Sequence, residues 1–308
     1  MHLAIVKNRN KFFIFSGVLV ILSIISIAVW GLNFGIDFTG GSLLEIKINN
    51  AELMSASDFS NKITTLMPTL GEVRVQPSSD GGYLIRLKHL SEEEHQQLLR
   101  MATEIFNDQN KDVQIEEKRF ESIGPVIGQE LKVKAVWAII LAMIMIILYI
   151  AYSFRHVSKP VASWKYGVGA VIALFHDIII VTGIFAALGH FFGYEIDLLF
   201  VSALLTILGF SVHDTIVVYD RTRENLIHNP QKTFEDTVDK ATNDTITRSI
   251  NTSLTVFFVL LAMYLLGGDS TRNFVLALLI GVFFGTYSSI FVASTLLVVW
   301  HKLGLKKK

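Results

Sequence analysis

The sequence predicts an all-α membrane bundle of six transmembrane helices, with one α+β domain inserted between the first two. The chain of 308 residues is 51% hydrophobic and has a mean hydropathy of +0.49, which is too apolar for an ordinary soluble domain. Six apolar runs are each long enough for the roughly 20 residues of a spanning helix. By contrast, residues 32–132 have the pattern of a soluble domain. The predicted domains are therefore 1–31, 32–132 and 133–308.

The first span follows a basic start. Lys7, Arg9 and Lys11 precede the apolar run from Phe12 to Trp30. A cleaved signal peptide also begins this way. The run is long for a signal core, however, and Ala28-Val29-Trp30 is a poor small-residue cleavage site. We therefore predict an uncleaved transmembrane helix.

The chain leaves this helix through the glycine-rich sequence GIDFTGG. Gly35, Gly40 and Gly41 permit a tight reversal because glycine adopts backbone conformations that other residues avoid. Together with Asp37 they form a predicted hinge motif at the start of the inserted domain.

The inserted domain is predicted to be ferredoxin-like, with the element order βαββαβ. The alternation in SLLEIKIN and YLIRLK is typical of strands, and Ser91 with Glu94 forms a capping box. A turn is predicted at Ser79-Asp80-Gly81-Gly82. The predicted elements are strand Ser42–Asn49, helix Ser57–Met67, strands Glu72–Pro77 and Tyr83–Lys88, a helix from Ser91 to about Asn107, and strand Val113–Phe120.

Five further spans and their loops complete the bundle. The spans are about Val133–Ser153, Tyr166–Leu188, Ile196–Tyr219, Thr245–Leu266 and Phe274–Trp300. Lys and Arg concentrate on one side: at the N-terminus, in the loops with Arg155, Lys159 and Lys165 and with Arg221, Arg223, Lys232 and Lys240, and in the tail with Lys302 and Lys306–Lys308. The opposite loops hold Glu195 and Asp197, and Asp269 with Arg272. The positive-inside rule then predicts cytoplasmic termini and an external domain.

Asp214 is the main candidate for chemistry. It lies well inside the apolar stretch that begins near Leu198. A carboxylate at a helix centre costs roughly 2.5–3.5 kcal/mol on insertion scales, so it needs a partner, a water-filled cavity or a neutralising proton. Intramembrane ionisable groups are functional by default, and we predict that Asp214 is one.

Arg248 is the candidate partner on the next helix. It shares a predicted polar stripe with Asn251, Thr252 and Thr255. The stripe could face Asp214 across a helix contact, or Arg248 could instead extend to the cytoplasmic interface. The sequence leaves both interpretations open.

Auxiliary polar candidates surround these two residues. Ser211 stands one turn before Asp214, and His213 is either a titrating group or a packing residue, the latter being favoured. His176 and Asp177 repeat the His-Asp dipeptide, which places Asp177 either inside the bundle as a second polar element or near an aqueous face. No metal site is predicted, because adjacent helical residues do not face one another and no third ligand is evident.

Further patterns concern packing, the chemistry that is excluded, and the source of energy. Gly281, Gly285 and Ser289 recur at four-residue spacing, which allows close helix packing. The chain has no cysteine, which removes disulfides, thiolate catalysis and Cys metal sites. Its formal net charge is zero, so charge does not argue for nucleic acid. No nucleotide-binding loop is present, so energy must come from a gradient or a partner and no cofactor is predicted.

The motifs together resemble the SecF family of bacterial protein-export subunits over essentially the whole chain. The matching stretches are GIDFTGG (35–41), ESIGPVIGQEL (121–131), ALFHD (173–177), GFSVHDTIVVYDRTREN (209–225) and TRSINTSLT (247–255). The resemblance implies a resistance–nodulation–division-like membrane half in the bacterial inner membrane, with a periplasmic domain. It implies pairing with six-helical SecD, association with the SecYEG channel, and use of proton-motive force on translocating secretory polypeptides. It also implies that Asp214 and Arg248 take part in proton passage.

Two other functions are compatible with parts of this sequence. Half of a proton-coupled small-molecule or lipid exporter would share the helical architecture, but the compact external domain and the motif set argue against it. An intramembrane hydrolase built on the His-Asp pairs lacks a nucleophile or metal signature, so an enzyme is not predicted.

Overall fold

The computed structural model describes residues 3–50, 52–78, 81–107, 113–155, 161–228, 231 and 233–305, without the side chains of 269, 304 and 305. Ser79 and Asp80 of the predicted turn, and Lys159, Lys232 and Lys306–Lys308 of the predicted basic side, lie outside the described residues. The chain divides into two compact units, one of residues 34–135 and one of residues 1–33 with 136–308.

The described elements follow one another as helices, then a sheet domain, then helices again. They are α1 (Arg9–Trp30), α2 (Ile36–Thr39), β1 (Gly41–Asn49), α3 (Ala56–Leu66), a 3-10 turn (Pro68–Leu70), β2 (Arg74–Ser78), β3 (Gly82–Leu87), α4 (Glu92–Asn107), β4 (Gln114–Ile123), α5 (Pro125–Ser153), α6 (Ser163–Phe192), α7 (Leu198–His228), α8 (Phe234–Leu266), α9 (Asp269–Ser288), a π turn (Ser289–Ala293) and α10 (Ser294–Leu305).

Six helical segments of the described chain are long and apolar enough to cross a membrane. They are α1, α5, α6, α7, α8 and the continuous run of α9, π turn and α10. The prediction of six spans is thereby confirmed.

The unit of residues 34–135 is built on one antiparallel sheet with the strand order β2-β3-β1-β4. On the central strand β1, Leu44 pairs with Ile85 of β3 on one side and with Phe120 of β4 on the other. Leu44 and Ile85 are fully buried, and Phe59 of α3 and Phe106 of α4 join the same core. Burial of this apolar face therefore fixes the register of the strands.

Local capping sets the starts of α3 and α4 in this unit. Ser55 accepts a hydrogen bond from the Asp58 backbone N–H at 3.1 Å at the start of α3. The predicted capping box of α4 is present: Ser91 Oγ accepts from the Glu94 N–H at 3.3 Å, and Glu94 accepts from the Ser91 N–H at 2.9 Å. The hydrogen bond from the Ser91 backbone N–H, followed by that from the Lys88 side chain, lowers the pKa of the Glu94 carboxyl below its ordinary value.

The glycine-rich motif forms a reversal between α2 and β1. Gly40 and Gly41 have φ values of +74° and +136°. A methyl group on Gly40 would lie 2.7 Å from Pro125 Cα, and one on Gly128 would lie 2.9 Å from the Gly40 nitrogen. Glycine is required here both for its backbone conformation and for this close approach to the start of α5.

Two helices extend further than hydropathy predicts. The charged residues Arg221 and Arg223, predicted to lie in a loop, belong to the last turns of α7, and Lys240 belongs to the first turns of α8. Arg221 pairs with Glu224 on its own helix and with Asp244 of α8, each at 2.8 Å. These contacts stabilise charged helix ends that a search for apolar runs does not detect.

The helices of the unit formed by residues 1–33 and 136–308 pack against one another through small residues. Gly281 of α9 lies against the Ile207 side chain of α7, and a methyl group on Gly285 would come within 3.0 Å of Ser211 Cβ. Ser289 donates a hydrogen bond to the Ser211 carbonyl at 2.9 Å. The predicted small-residue ridge thus brings the last span into close contact with α7.

At one end of the same unit, residues 3–8 bind to the start of α8. Asn243 Oδ1 accepts from the Leu3 backbone N–H at 2.7 Å, and its Nδ2 donates back to the Leu3 carbonyl at 2.8 Å. Glu235 pairs with Arg9 at 3.7 Å and with Lys302 at 2.7 Å. The N-terminal segment, the start of α8 and the end of α10 therefore meet at this end of the bundle.

Candidate functional site

Asp214 is buried on the side of α7 that faces α8. Its residue is 3% exposed, and the hydroxyl groups of Ser249 and Ser253 on α8 face its carboxylate. Among the described residues, however, none hydrogen-bonds to Asp214 Oδ2, and the buried hydroxyl of Ser249 is likewise without a partner. Two buried polar atoms that have no hydrogen-bond partner among the described residues therefore lie on neighbouring helices.

The sequence favours a packing position for His213, but the structure turns its side chain outward. Its side chain is 63% exposed, and its Nδ1 lies 3.9 Å from Asp214 Oδ1. Adjacent residues on a helix point in directions about 100° apart, so burying Asp214 against α8 turns His213 outward.

The predicted polar stripe of α8 is also turned outward. Arg248, Asn251, Thr252 and Thr255 are exposed on the surface of the chain. Both Arg248 and Asp214 are described, and no ion pair within 4.0 Å joins them in this structure. Pairing of the two residues stays a prediction.

Sequence reasoning missed the residues that do face Asp214. The buried polar face of α8 is made by Thr242, Thr245, Ser249 and Ser253. Their spacing of three and four residues is the signal of one helix face, and it lies one residue away from the predicted stripe. Small hydroxyl groups at helix contacts in membranes allow close packing and hydrogen bonding.

Asp177 of α6 lies inside the bundle as a second, fully buried carboxylate. Its Oδ2 accepts hydrogen bonds from Ser211 of α7 at 2.7 Å and from Ser288 of α9 at 2.8 Å. Its Oδ1 lies 2.9 Å from His176 Nδ1. Of the two placements left open by the sequence, the one inside the bundle is therefore correct.

The two carboxylates are linked through one turn of α7. The Ser211 carbonyl accepts from Ser289 at 2.9 Å and from Thr215 at 3.3 Å, and the hydroxyls of Thr215 and Ser289 are 2.9 Å apart. Ser289 opens the π turn of the last span, and single π-helical turns are frequent at functional sites. The turn that contains Asp214 is thus held by α6 and by the π turn.

This arrangement can hold and release a proton. A carboxylate beside hydroxyl groups in an apolar bundle gains or loses charge according to the access of water and cations. Over the described part of the chain, no group of three or more His, Asp or Glu side chains is arranged to hold a metal ion.

Comparison with known families gives two matches. The family described as "Protein export membrane protein SecD/SecF, C-terminal" matches residues 103–303, and the "SecD/SecF GG Motif" family matches residues 25–52. The second match covers the Gly40-Gly41 reversal.

Two proteins that are similar over nearly their full length have the same name. A protein translocase subunit SecF from Thermobaculum terrenum is 42% identical over 305 residues, covering 96% of this chain and 93% of that protein. The subunit of the same name from Anaerolinea thermophila is 37% identical over 302 residues, covering 97% and 94%.

A solved structure has a similar fold. The crystal structure of SecDF, a translocon-associated membrane protein from Thermus thermophilus, superposes with a TM-score of 0.80 at 30% identity. The match covers 98% of this chain and 39% of the longer SecDF chain.

Proposed function

Because the chain belongs to the SecD/SecF family of protein export membrane proteins, we propose that it is a subunit of the Sec protein-export machinery. In this proposal it acts with a SecD-type partner and uses proton-motive force to promote late translocation and release of secreted polypeptides across the inner membrane. The observation that carries the proposal is the full-length similarity to translocase subunits in a chain that buries Asp214.

The six candidate spans make this a multi-pass membrane protein, and the proposal adds its orientation. Both termini are cytoplasmic and the unit of residues 34–135 is a periplasmic, ferredoxin-like domain. Support for the orientation comes from Arg9 and Lys302, which both pair with Glu235, and from Arg221, which pairs with Asp244; all three lie outside the apolar runs. Support for the domain comes from its antiparallel strand order β2-β3-β1-β4 with two helices.

Energy conversion in this proposal centres on Asp214. The carboxylate takes up a proton from one side of the membrane and releases it to the other, with Arg248 or water stabilising the ionised form. The membrane potential supplies about 2.3 kcal/mol per charge per 100 mV. This free energy suffices to shift the equilibrium between two conformations of the helix bundle that are similar in free energy. No cofactor takes part.

The proposed partners follow from the family and from the exposed polar surface. A charged residue in a membrane span must face protein or water. Arg248 and the adjacent exposed Asn251 therefore lie where the SecD-type partner or a water path would cover them. The SecYEG channel and the translocating polypeptide complete the proposed assembly.

The decisive experiment compares two Asp-to-Asn changes on one helix. Inverted membrane vesicles from a strain in which this chain replaces the resident subunit are assayed for export of a secretory precursor, with and without a proton gradient. Asp214→Asn should abolish the stimulation by the gradient at normal membrane levels. Asp220→Asn is the matched control, because Asp220 is 66% exposed and lies 3.8 Å from Arg223.

Full stimulation with Asp214→Asn would contradict the proton role, and loss of assembly would show that Asp214 is structural. The exporter alternative is tested in the same cells by photo-crosslinking from the surface of residues 34–135. Capture of a secretory chain agrees with export, whereas a small-molecule efflux phenotype without capture would favour an exporter.

A further inference from the structure

Asp177 and its hydrogen-bond partners His176, Ser211 and Ser288 form a buried cluster, called here the Asp177 cluster. The proposed proton role of Asp214 does not involve this cluster directly. Asp177 accepts hydrogen bonds from two different helices, through Ser211 of α7 and Ser288 of α9, and Ser211 lies one turn before Asp214. We propose that Asp177 is a positioning residue for Asp214: it fixes the turn from Ser211 to Thr215 and thereby aims the Asp214 carboxylate at α8. This inference rests on the proposed function.

The first argument is the number of bonds that hold this turn. Ser211 donates to Asp177 with its hydroxyl and accepts from Ser289 with its carbonyl, so both its side chain and its backbone are held. Thr215, at the far end of the turn, contacts Ser289 as well. The turn is therefore bonded at both ends, and the intervening Asp214 has one orientation relative to α8.

The second argument is close packing. A methyl group at Gly285 would lie 3.0 Å from Ser211 Cβ, so α7 and α9 are in close contact here. This contact prevents α7 from rotating about its axis toward α9. Asp177 lies on α6, which also packs against α9. Three helices thus meet at Ser211, and the only described carboxylate at this meeting point is Asp177.

The third argument is the kind of contact that Asp214 needs. Its Oδ2 has no hydrogen bond from the described residues, and Ser249 Oγ beside it is equally unfilled. With Oδ2 unbonded, the contacts of the carboxylate itself fix its orientation only in part. The backbone of α7, which the Asp177 cluster holds, supplies the rest of that orientation.

The test uses the absence of cysteine from the natural sequence. The variant Asp214→Cys/Ser249→Cys carries one cysteine on α7 and one on α8. The rate at which copper–phenanthroline oxidises this pair to a disulfide in membranes reports the orientation of position 214 relative to position 249. The control pair is Ser253→Cys/Thr286→Cys, which joins α8 to α9 where their hydroxyls are hydrogen-bonded. The three Asp177 backgrounds are wild type, Asp177→Asn and Asp177→Leu.

Asp177→Leu should slow the reporter disulfide by about fivefold or more, because both hydroxyl donors lose their acceptor. The control pair should change less than about twofold if the bundle is intact. Asp177→Asn should keep the reporter rate, because its amide oxygen can still accept from Ser211 and Ser288.

Three outcomes would overturn the proposal. An unchanged reporter rate in Asp177→Leu would show that the turn does not depend on Asp177. A matching loss in the control pair would show general destabilisation. Equal loss in Asp177→Asn and Asp177→Leu would show that the charge, and not the acceptor, matters. If Asp177→Leu fails to accumulate, Ser211→Ala and Ser288→Ala replace it; both should slow the reporter, and no change in either would refute positioning.

Export measurements with residue 214 intact add a functional readout. Asp177→Asn should retain stimulation by the proton gradient, and Asp177→Leu should lose it. The disulfide reporter lacks Asp214 and does not measure export. A slowed reporter combined with full export by Asp214→Asn would therefore refute the proton role and leave the positioning role standing.

Discussion

Replacing Gly40 by alanine should destabilise the unit of residues 34–135 by about 2–6 kcal/mol. Gly40 has a φ of +74° and a ψ of 161°, a region that is occupied almost only by glycine and in which a side chain costs about 1–3 kcal/mol. The new methyl group would also lie 2.7 Å from Pro125 Cα and 2.8 Å from Pro125 N. Backbone atoms at the start of a helix cannot turn aside as a side chain can, so this overpacking adds about 1–3 kcal/mol.

Gly71→Ala is the matched control for Gly40→Ala. Gly71 has nearly the same φ, +73°, but a methyl group there would have no described atom within 4 Å. Its change should therefore cost only the conformational part, about 1–3 kcal/mol. The difference between the two variants isolates the contact with Pro125.

The measurement is amide hydrogen exchange of the full-length protein in lipid nanodiscs, read by mass spectrometry. Protection of β1 and β3 gives the free energy of opening of this unit. Equal losses of protection in Gly40→Ala and Gly71→Ala would refute the close approach as a source of stability. A larger loss in Gly71→Ala would contradict the argument altogether.

Three further predictions concern other parts of the chain. Arg248→Lys should lose gradient-driven export if the guanidinium fork partners Asp214, and the double variant Arg248→Met/Asp214→Asn should be little worse than either single variant in the vesicle assay; wild-type export by Arg248→Lys would favour a simple interfacial role. Burial raises the pKa of Tyr83, so the folded state favours the protonated phenol and stability of its unit should fall as the pH rises above about 10. Hydrogen exchange should show this fall in the wild type and less of it in Tyr83→Phe, which removes the titrating group. A fragment of residues 32–132 should unfold cooperatively in urea, and a gradual transition would place the domain boundary elsewhere.

The sequence predicts well those structural features that depend on residues close to one another in the chain. The capping box of Ser91 and Glu94 lies within four residues, and the structure contains it. The six spans follow from apolar runs, which need no knowledge of partners. The position of Asp214 inside an apolar stretch can likewise be read from the sequence of its own helix, and Asp214 is buried in the structure.

What the sequence does not predict depends on how helices are rotated against one another. Ser249 faces Asp214 while Arg248, one residue earlier, is exposed, and only the packing of α7 against α8 decides between them. The bond from Ser288 to Asp177 joins residues 111 positions apart. The end of α7 is set by Arg221 and its bond to Asp244 on another helix.

The attachment of residues 3–8 to α8 has a consequence for biosynthesis. Leu3 is bonded to Asn243, 240 positions later, and Ile5 and Val6 are buried. Residues 3–8 leave the ribosome long before α8, so their hydrogen bonds to Asp239 and Asn243 form only after the fifth spanning helix has been made. A nascent chain that stops before α8 lacks these hydrogen bonds, so the contact distinguishes chains that have reached α8 from shorter ones.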